Sequence, residues 1–595
     1  MNKRSQGGAP KAKNAKKAIA DLFRYSKKYL WAIAIAVVSI AGSTALAVLA
    51  PDKISRLTEI IQEGFTPAGV AIDMDAFLSV TYVLIAMYGA SALLNYCENF
   101  ILTTVSCKIT YNMRRDISEK VNRIPLRYFD SHNFGDTLSR VTNDVDTISQ
   151  SFTNSIGSFV SAVAMLVGCL IMMFKTQWIL AFSAIGATLV GFVLVAVIMS
   201  RSQKYFDARQ KSLAAVNGHV EEFFAGQNVV RAYNAESRSG EEFRKKNLEL
   251  KKNTFRAEFL SGMMSPLMGF VGNLGYVVVV VVGAALAFGG TIGFPVIVAF
   301  MIYVRQFASP LSQIAQSMSP IQSAASASER VFEFLGEEEM GDESAKSERI
   351  DSVRGEVDFE HVNFGYNADR TIIHDFNAHV RAGMKVAIVG PTGAGKTTIV
   401  NLLMRFYELN GGEIRVDGVP LTQITRENVH SLFGMVLQDT WLFEGTLREN
   451  LTYGRKVPDE RLDEICEETG LTHFVHTLPH GYDTVLGDNV SVSAGQKQLL
   501  TIARAMVEDA PMLILDEATS SVDTRTELQI QRAMEKLCAG RTSFVIAHRL
   551  STIRDADLIL YMQDGDIRET GTHEELLKKN GLYAALYNSQ FEDAV

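Results

Sequence analysis

Gly390-Pro391-Thr392-Gly393-Ala394-Gly395-Lys396-Thr397 is the stretch of this 595-residue chain whose residue types and spacing most plainly serve chemistry. The spacing GxxxxGK[ST] lets successive backbone N–H groups curl around phosphate oxygens. Lys396 would reach the β and γ phosphates, Thr397 would ligate Mg²⁺, and Thr398 would open a helix whose dipole favours the negative charge. A second run, Met512-Leu513-Ile514-Leu515, is an apolar strand that ends in two acids, Asp516 and Glu517. Ligands gather at the carboxyl edge of a parallel sheet, so acids there call for a chemical explanation. Asp516 would hold Mg²⁺ through water and Glu517 would polarise an attacking water.

Both sets of residues need a rigid scaffold. The phosphate loop follows an apolar strand, Val386–Val389, and precedes a helix over Thr398–Arg405. From residue 353 onward, short apolar runs such as Lys385–Val389, Met512–Leu515 and Ser543–Ala547 alternate with helical stretches. That alternation predicts an α/β P-loop nucleotide-binding domain over 353–595.

The first half has a different texture. The whole chain is 47% hydrophobic and 21% charged, which excludes a disordered chain and, with only five cysteines, a disulfide scaffold. The cysteines show no metal spacing and are expected to be buried thiols. Six apolar stretches are long enough to span a bilayer, at about 29–51, 76–100, 151–174, 178–200, 262–288 and 293–317. The segments assigned inside (1–28, 106–145 and 201–256) carry 28 Lys or Arg, against 3 in those assigned outside (52–75, 175–177 and 289–292). That imbalance places the N- and C-termini in the cytoplasm. Residues 1–28 carry nine Lys or Arg and one acid, Asp21, and read as a basic flank with an elbow helix ahead of the first span. A nucleic-acid arm or a targeting peptide is the alternative.

Residues 106–145 and 201–256 are polar, rich in helix formers and nearly free of Pro, so they read as membrane helices continuing into the cytoplasm as hairpins. The predicted fold is therefore an α-helical six-span transmembrane domain (29–335) with long cytoplasmic helical extensions. An acidic linker (336–352) joins it to the α/β domain.

At this point the sequence resembles the ATP-binding cassette family. Val492-Ser493-Ala494-Gly495-Gln496 is similar to the family signature, usually Leu-Ser-x-Gly-Gln. Gln438, Ser521-Val522-Asp523 and His548 stand in the family's order. Six spans ahead of one such domain resemble an exporter half-transporter. The resemblance implies that Gln438 senses Mg²⁺ and the γ phosphate, and that His548 contacts the γ phosphate beside the catalytic Glu517. It also implies that Tyr366 stacks on adenine. Ser493, Ala494, Gly495 and Gln496 would cap the ATP of a second cassette, and Asp523 would cross the dimer interface. ATP and Mg²⁺ are the implied cofactors. Phe134–Arg140 with Asn143-Asp144-Val145, and Phe224–Ala232 with Glu236, resemble the family's two coupling segments. Taken singly, each of these residues has an ordinary structural explanation; the joint pattern carries the resemblance.

The sequence departs from the family in opening the signature with Val492 and in a segment before it, Gly487–Ser491, about one residue short. Together with the complete catalytic set, this resembles the intact subunit of bacterial heterodimeric multidrug exporters, so an unlike half-transporter is favoured over an identical copy as partner. The expected function is ATP-driven export of amphipathic small molecules, drug-like compounds or lipids, across a bacterial plasma membrane. Membrane lipid and an amphipathic substrate are the other partners, and no nucleic acid is expected. A peptide exporter of the same fold is the alternative. An ATP-gated channel or regulator, or a membrane-anchored soluble ATPase, fits less well.

Arg305 is the clear charge within a span, ~18 Å along its helix at 1.5 Å per residue. Charges at that depth usually face a cavity, which makes Arg305 a candidate for a substrate cavity. A structural ion pair, with Glu98 as the partner, or an inner-end position if the helix is tilted, is the competing explanation. Gly269, Gly272 and Gly275, with Asn273 among them, would let helices approach closely.

Overall fold

A computed structural model describes residues 14–66, 69–70, 72–132, 134–367, 369–437, 440–487, 492–516, 523–547 and 550–591. The chain divides into two compact units. One comprises Met1–Arg123 with His132–Glu337, the other Ile124–Ser131 with Glu338–Val595.

The first unit is helical. A short helix, Ala15–Tyr25, carries the basic flank, and its Tyr25 hydroxyl donates to Asp116 at 2.6 Å. Long helices follow at Leu30–Gly64, Met74–Val121, Gly157–Thr176, Trp178–Ala225, Met264–Phe288 and Phe294–Leu335. Five of the helices are long and apolar enough to cross a membrane among the described residues, and the apolar stretch Trp178–Val193 heads another. Met74–Val121 has 48 residues, about 72 Å at the α-helical rise, more than twice a bilayer's hydrocarbon thickness. Its polar second half is therefore the continuous extension that the composition of 106–121 predicts. Pro51, Pro310 and Pro320 sit inside long helices, where neighbouring helices can satisfy the freed carbonyls.

Two π-helical turns, Arg140–Asp144 and Ser151–Ile156, flank a short helix, Val145–Gln150. At the end of the first turn, Asp144 is buried and accepts from Arg330 Nε at 2.8 Å, a bidentate pair completed by the second guanidinium nitrogen. Of the five cysteines, all free, Cys169 and Cys466 are buried as expected. Cys107 is exposed, on an uncovered face of its long helix.

The second unit holds a six-stranded sheet in the order Asp566–Gly571, Leu558–Gln563, Lys385–Val389, Thr542–Ile546, Met512–Asp516, Phe433–Val436. The last five strands run parallel, and only Asp566–Gly571 is antiparallel. Central strands such as Lys385–Val389 and Thr542–Ile546 are buried almost throughout, as continuous apolar runs in a parallel sheet must be. A second, antiparallel sheet of four strands orders Ile373–Val380, Val357–Phe364, Gly411–Val416 and Val419–Pro420. Phe359, Phe376 and Phe544 bring the two sheets into one core.

The acidic stretch read as a linker is not a free tether. From Glu338 it belongs to the second unit, and Ile350 is buried in that unit's core. Glu343 explains the anchoring. It accepts from the Arg426 backbone N–H at 2.7 Å and lies 2.9–3.0 Å from the side-chain nitrogens of Arg405, Arg426 and Lys346. In the first hairpin, the helix that joins the second unit is Leu126–Ser131, with Asp130 accepting from the Tyr407 hydroxyl. The segment that resembles a coupling helix, Phe134–Arg140, follows it in the chain and belongs to the first unit.

Candidate functional site: a phosphate cradle and a cleft between two membrane helices

The parallel strands place their carboxyl ends along one edge of the sheet. Lys385–Val389 runs into the phosphate loop, and Met512–Asp516 ends in Asp516 itself. Phe433–Val436 and Thr542–Ile546 end just before Gln438 and His548 in sequence. Gln438, His548 and Glu517 lie outside the described residues. Among the described residues, the phosphate loop and Asp516 therefore lie at the edge where a parallel sheet binds ligands.

The loop is shaped by glycine. Gly390 has φ +152°, and a Cβ there would come within 2.1 Å of the Met562 carbonyl. Gly395, at φ +100°, is the left-handed residue that starts the helix Lys396–Leu403. Any other residue would be strained at that φ. The turn after Leu558–Gln563 buttresses the loop, since the Gly565 N–H donates to the Ala394 carbonyl at 3.2 Å. Asp564-Gly565, a turn dipeptide between two apolar runs, was the available signal for this support.

Lys396 is buried, and its ammonium donates to the carbonyls of Gly390 at 2.7 Å and Pro391 at 3.0 Å. Burial lowers its pKa, and the charge of Asp516 works in the opposite direction. A lysine so placed needs an anionic partner or several acceptors to stay charged. Thr397 is exposed at the helix start and Thr398 is buried behind it. The Tyr366 hydroxyl lies 3.3 Å from Thr398 Oγ1 and accepts from Asn401 at 3.3 Å, so the tyrosine is tied to the phosphate-loop helix. Its ring meets Phe364 and Tyr407 edge-on, at 5.0 Å each. A cleft of ≈ 430 Å³ opens beside it, lined among others by Gly365, Tyr407 and Arg127.

The signature residues have a local role that their types explain. Ser493 caps the helix Ala494–Glu508. Its hydroxyl accepts from the Gln496 N–H at 3.2 Å, and the Gln496 side chain accepts from the Ser493 N–H at 2.9 Å. Ser-x-x-Gln is thus a capping box, which fixes where this helix begins. Ser493 and Ala494 are exposed, whereas Gly495 is buried. Asp523 likewise caps Thr524–Cys538, accepting from the N–H groups of Arg525 and Thr526, which hold its carboxyl below the usual range.

Sequence reasoning missed Arg504. It sits on the signature helix and donates to the carbonyls of Asn450 and Trp441, with its guanidinium 4.6 Å from the Tyr453 ring centre. A lone cation in the otherwise apolar Ile502-Ala503-Arg504-Ala505-Met506 was the signal for it.

In the helical unit, Arg305 lines a cleft of ≈ 520 Å³ between Met264–Phe288 and Phe294–Leu335. Glu98 is not its partner. Its carboxylate faces Gly157, where an added Cβ would lie 3.0 Å from Oε1. Of the three glycines expected to admit a neighbouring helix, only Gly275 does so, with Val304 2.9 Å from where its Cβ would be. Gly269 and Gly272 have nothing within 4 Å and line the cleft instead.

With this geometry established, comparison with known proteins is decisive. Residues 33–311 match the ABC transporter transmembrane region, and residues 373–520 match the ABC transporter model. The chain belongs to the ABC transporter family. It is similar to a fatty acid ABC transporter ATP-binding/permease protein of Mycobacterium bovis, 45% identical over 87% of this chain and 82% of that one. It is also similar to an ATP-dependent lipid A-core flippase of Chromohalobacter salexigens, 34% identical over 96% of each chain. An uncharacterized ABC transporter ATP-binding protein of Bacillus subtilis is 36% identical over 98% of this chain and 96% of its own length. This ABC transporter is a multi-pass membrane protein that binds ATP, and its ATPase is coupled to transport.

Proposed function

We propose that the chain is a half-transporter that pairs with a second ABC subunit to export amphipathic molecules, lipids above all, across a bacterial plasma membrane by alternating access. The observation that carries this reading is the glycine-shaped phosphate loop, in one chain with helices long enough to span a bilayer. Relatives named for fatty acid and for lipid A-core support a lipid-like substrate.

In this reading the loop Gly390–Thr397 and Thr398 bind the triphosphate, and Tyr366 contacts the adenine. Mg²⁺ fits the donors present, the exposed Thr397 hydroxyl and the Asp516 carboxylate at the strand end, with Gln438 as a further ligand. It would neutralise phosphate charge. Glu517 activates water and His548 contacts the γ phosphate. Ser493 to Gln496 and Asp523 face the partner cassette. The expectation of an unlike partner rests on Gly487–Ser491, of which 488–491 lie outside the described residues.

The test is ATPase activity of the purified chain expressed alone, reconstituted in lipid, beside Glu517→Gln. Turnover that Glu517→Gln abolishes, with fluorescent-lipid translocation that depends on ATP, supports an exporter of two like chains. A folded, ATP-binding chain with negligible turnover supports an unlike partner. Turnover without translocation of any amphiphile sinks the export reading.

A further inference from the structure

We infer that the substrate is an amphiphile with an anionic oxygen head, carboxylate or phosphate, and that Arg305 is the residue that selects it. The inference deepens the export reading and rests on it for the word substrate.

The argument starts from helical spacing. Gly269, Gly272, Asn273 and Tyr276 fall on one face of their helix, and Met301, Val304, Arg305, Ala308 and Ser312 fall on one face of the other. The two faces line the same cleft. Towards the loop that joins the helices, their backbones are close: Gly283 meets Ile297 with 3.0 Å to an added Cβ, and Gly275 meets Val304 with 2.9 Å. Beyond Gly275 the contact stops, since Gly272 and Gly269 would meet nothing within 4 Å. The helices therefore diverge where Arg305 projects, and glycine there makes room for something other than the neighbouring helix.

The chemistry of the lining decides what that is. Arg305 is exposed in the cleft, and neither it nor Asn273 forms an ion pair or hydrogen bond among the described residues. An unpaired guanidinium at membrane depth is costly, and such groups mark substrate paths. Its planar fork suits two oxygens of one head group. Asn273 can add a donor, while Tyr276, Met301, Val304 and Ala308 supply an apolar wall for a chain. A volume of ≈ 520 Å³ lies within the ~300–1,000 Å³ typical of small-molecule sites. A neutral head would leave the cation unpaired, and a cationic head would be repelled.

The experiment uses the full chain in lipid nanodiscs, with empty nanodiscs as the partition control. Radiolabelled oleate is bound at alkaline pH and displaced by oleate, oleyl phosphate, oleyl alcohol or oleylamine, which share one chain and differ in head. The expected result is that the two anions compete roughly 10- to 100-fold better than the alcohol, the range of a hydrogen-bonded charge. The better of the two names the head.

Arg305→Ala should erase that advantage, Arg305→Lys should keep part of it, and Arg305→Glu should turn the preference towards oleylamine. An ATP-induced Tm shift identifies any variant that has not folded, and the wild-type ranking decides without it. Equal competition by all four heads, or an anion advantage that survives Arg305→Ala and Arg305→Glu, overturns the inference. Charge-selective binding with no amphiphile translocated would leave the selectivity of Arg305 for an anionic head standing and sink the export reading. ATPase stimulated alike by every head would do the reverse.

Discussion

Lys396 is buried, with its ammonium held between two carbonyls of its own loop, whereas Arg305 is exposed in its cleft with no partner among the described residues. The first cation belongs to a site built from backbone. Glycines at 390 and 395 set the curve of the loop, the sheet sets its position, and the ligand's charge is met mostly by N–H groups. Such a site accepts one chemistry, and every member of the fold can share it. The second cation lines a cleft formed by side chains on two helix faces. In the proposed reading, one residue there would change what is recognised without disturbing the fold.

The largest effect that separates the two is on hydrolysis. Lys396→Ala should lower ATP turnover by about 1,000-fold, the scale on which a charge-stabilising group counts in a transition state. Arg305→Ala should change which amphiphile stimulates turnover. Steady-state ATPase with oleate and with oleyl alcohol measures both. A loss in Arg305→Ala as deep as in Lys396→Ala, whatever the amphiphile, would erase the distinction between a shared and a private site.

A second contrast sets Glu343 beside both cations, as a carboxylate supplied with every partner it can use. Burial raises its pKa, but the Arg426 N–H, Lys346, Arg405 and Arg426 outweigh burial and hold it below 4.5. The sign follows from linkage. With a lowered folded pKa, the stabilisation is fully present above 4.5 and is lost as pH falls through the folded value. Glu343→Gln should cost about 2 kcal/mol at neutral pH, because buried Arg405 loses one of its two carboxylates and is left with the more exposed Glu408. The gap should close in acid. Urea unfolding of the two proteins across that range measures it, and a gap independent of pH would count against the network.

How much of this was legible in the sequence differs between the sites for the same reason. Gly390 to Thr397 were legible because a backbone site imposes residue types at fixed spacing. Arg305 could be singled out as a charge in an apolar run, yet its surroundings could not. Glu98, the nearest candidate in sequence logic, turns towards Gly157. Glu343 read as part of an acidic linker because its partners, Arg405 and Arg426, are more than sixty residues away. Leu126–Ser131 was passed over in favour of the glycine-containing turn after it, since a six-residue helix has no period to read.

Ser493 allows a finer division between holding the fold and meeting the partner. As a cap, its loss in Ser493→Ala should cost about 1 kcal/mol. Ser493→Asp should restore the cap, since aspartate accepts from the same N–H groups. If the hydroxyl also meets the partner's nucleotide, Ser493→Asp will be as stable as the parent and still fail to hydrolyse ATP. Thermal unfolding beside ATPase reads the two roles apart, and full activity in Ser493→Asp would leave the residue as a cap alone.

The smallest effect tests the cleft itself, and it does so with one methyl group. Gly272→Ala adds a Cβ to open space and removes glycine's entropic cost in a helix, so it should stabilise by about 0.5 kcal/mol. Gly275→Ala sets a Cβ 2.9 Å from Val304 and should destabilise, although the two positions are one helical turn apart. Opposite signs of the Tm change in nanodiscs would show that the helices part between these residues. Destabilisation by both would mean that another helix fills the cleft, and Arg305 would then lack the space on which its selectivity depends.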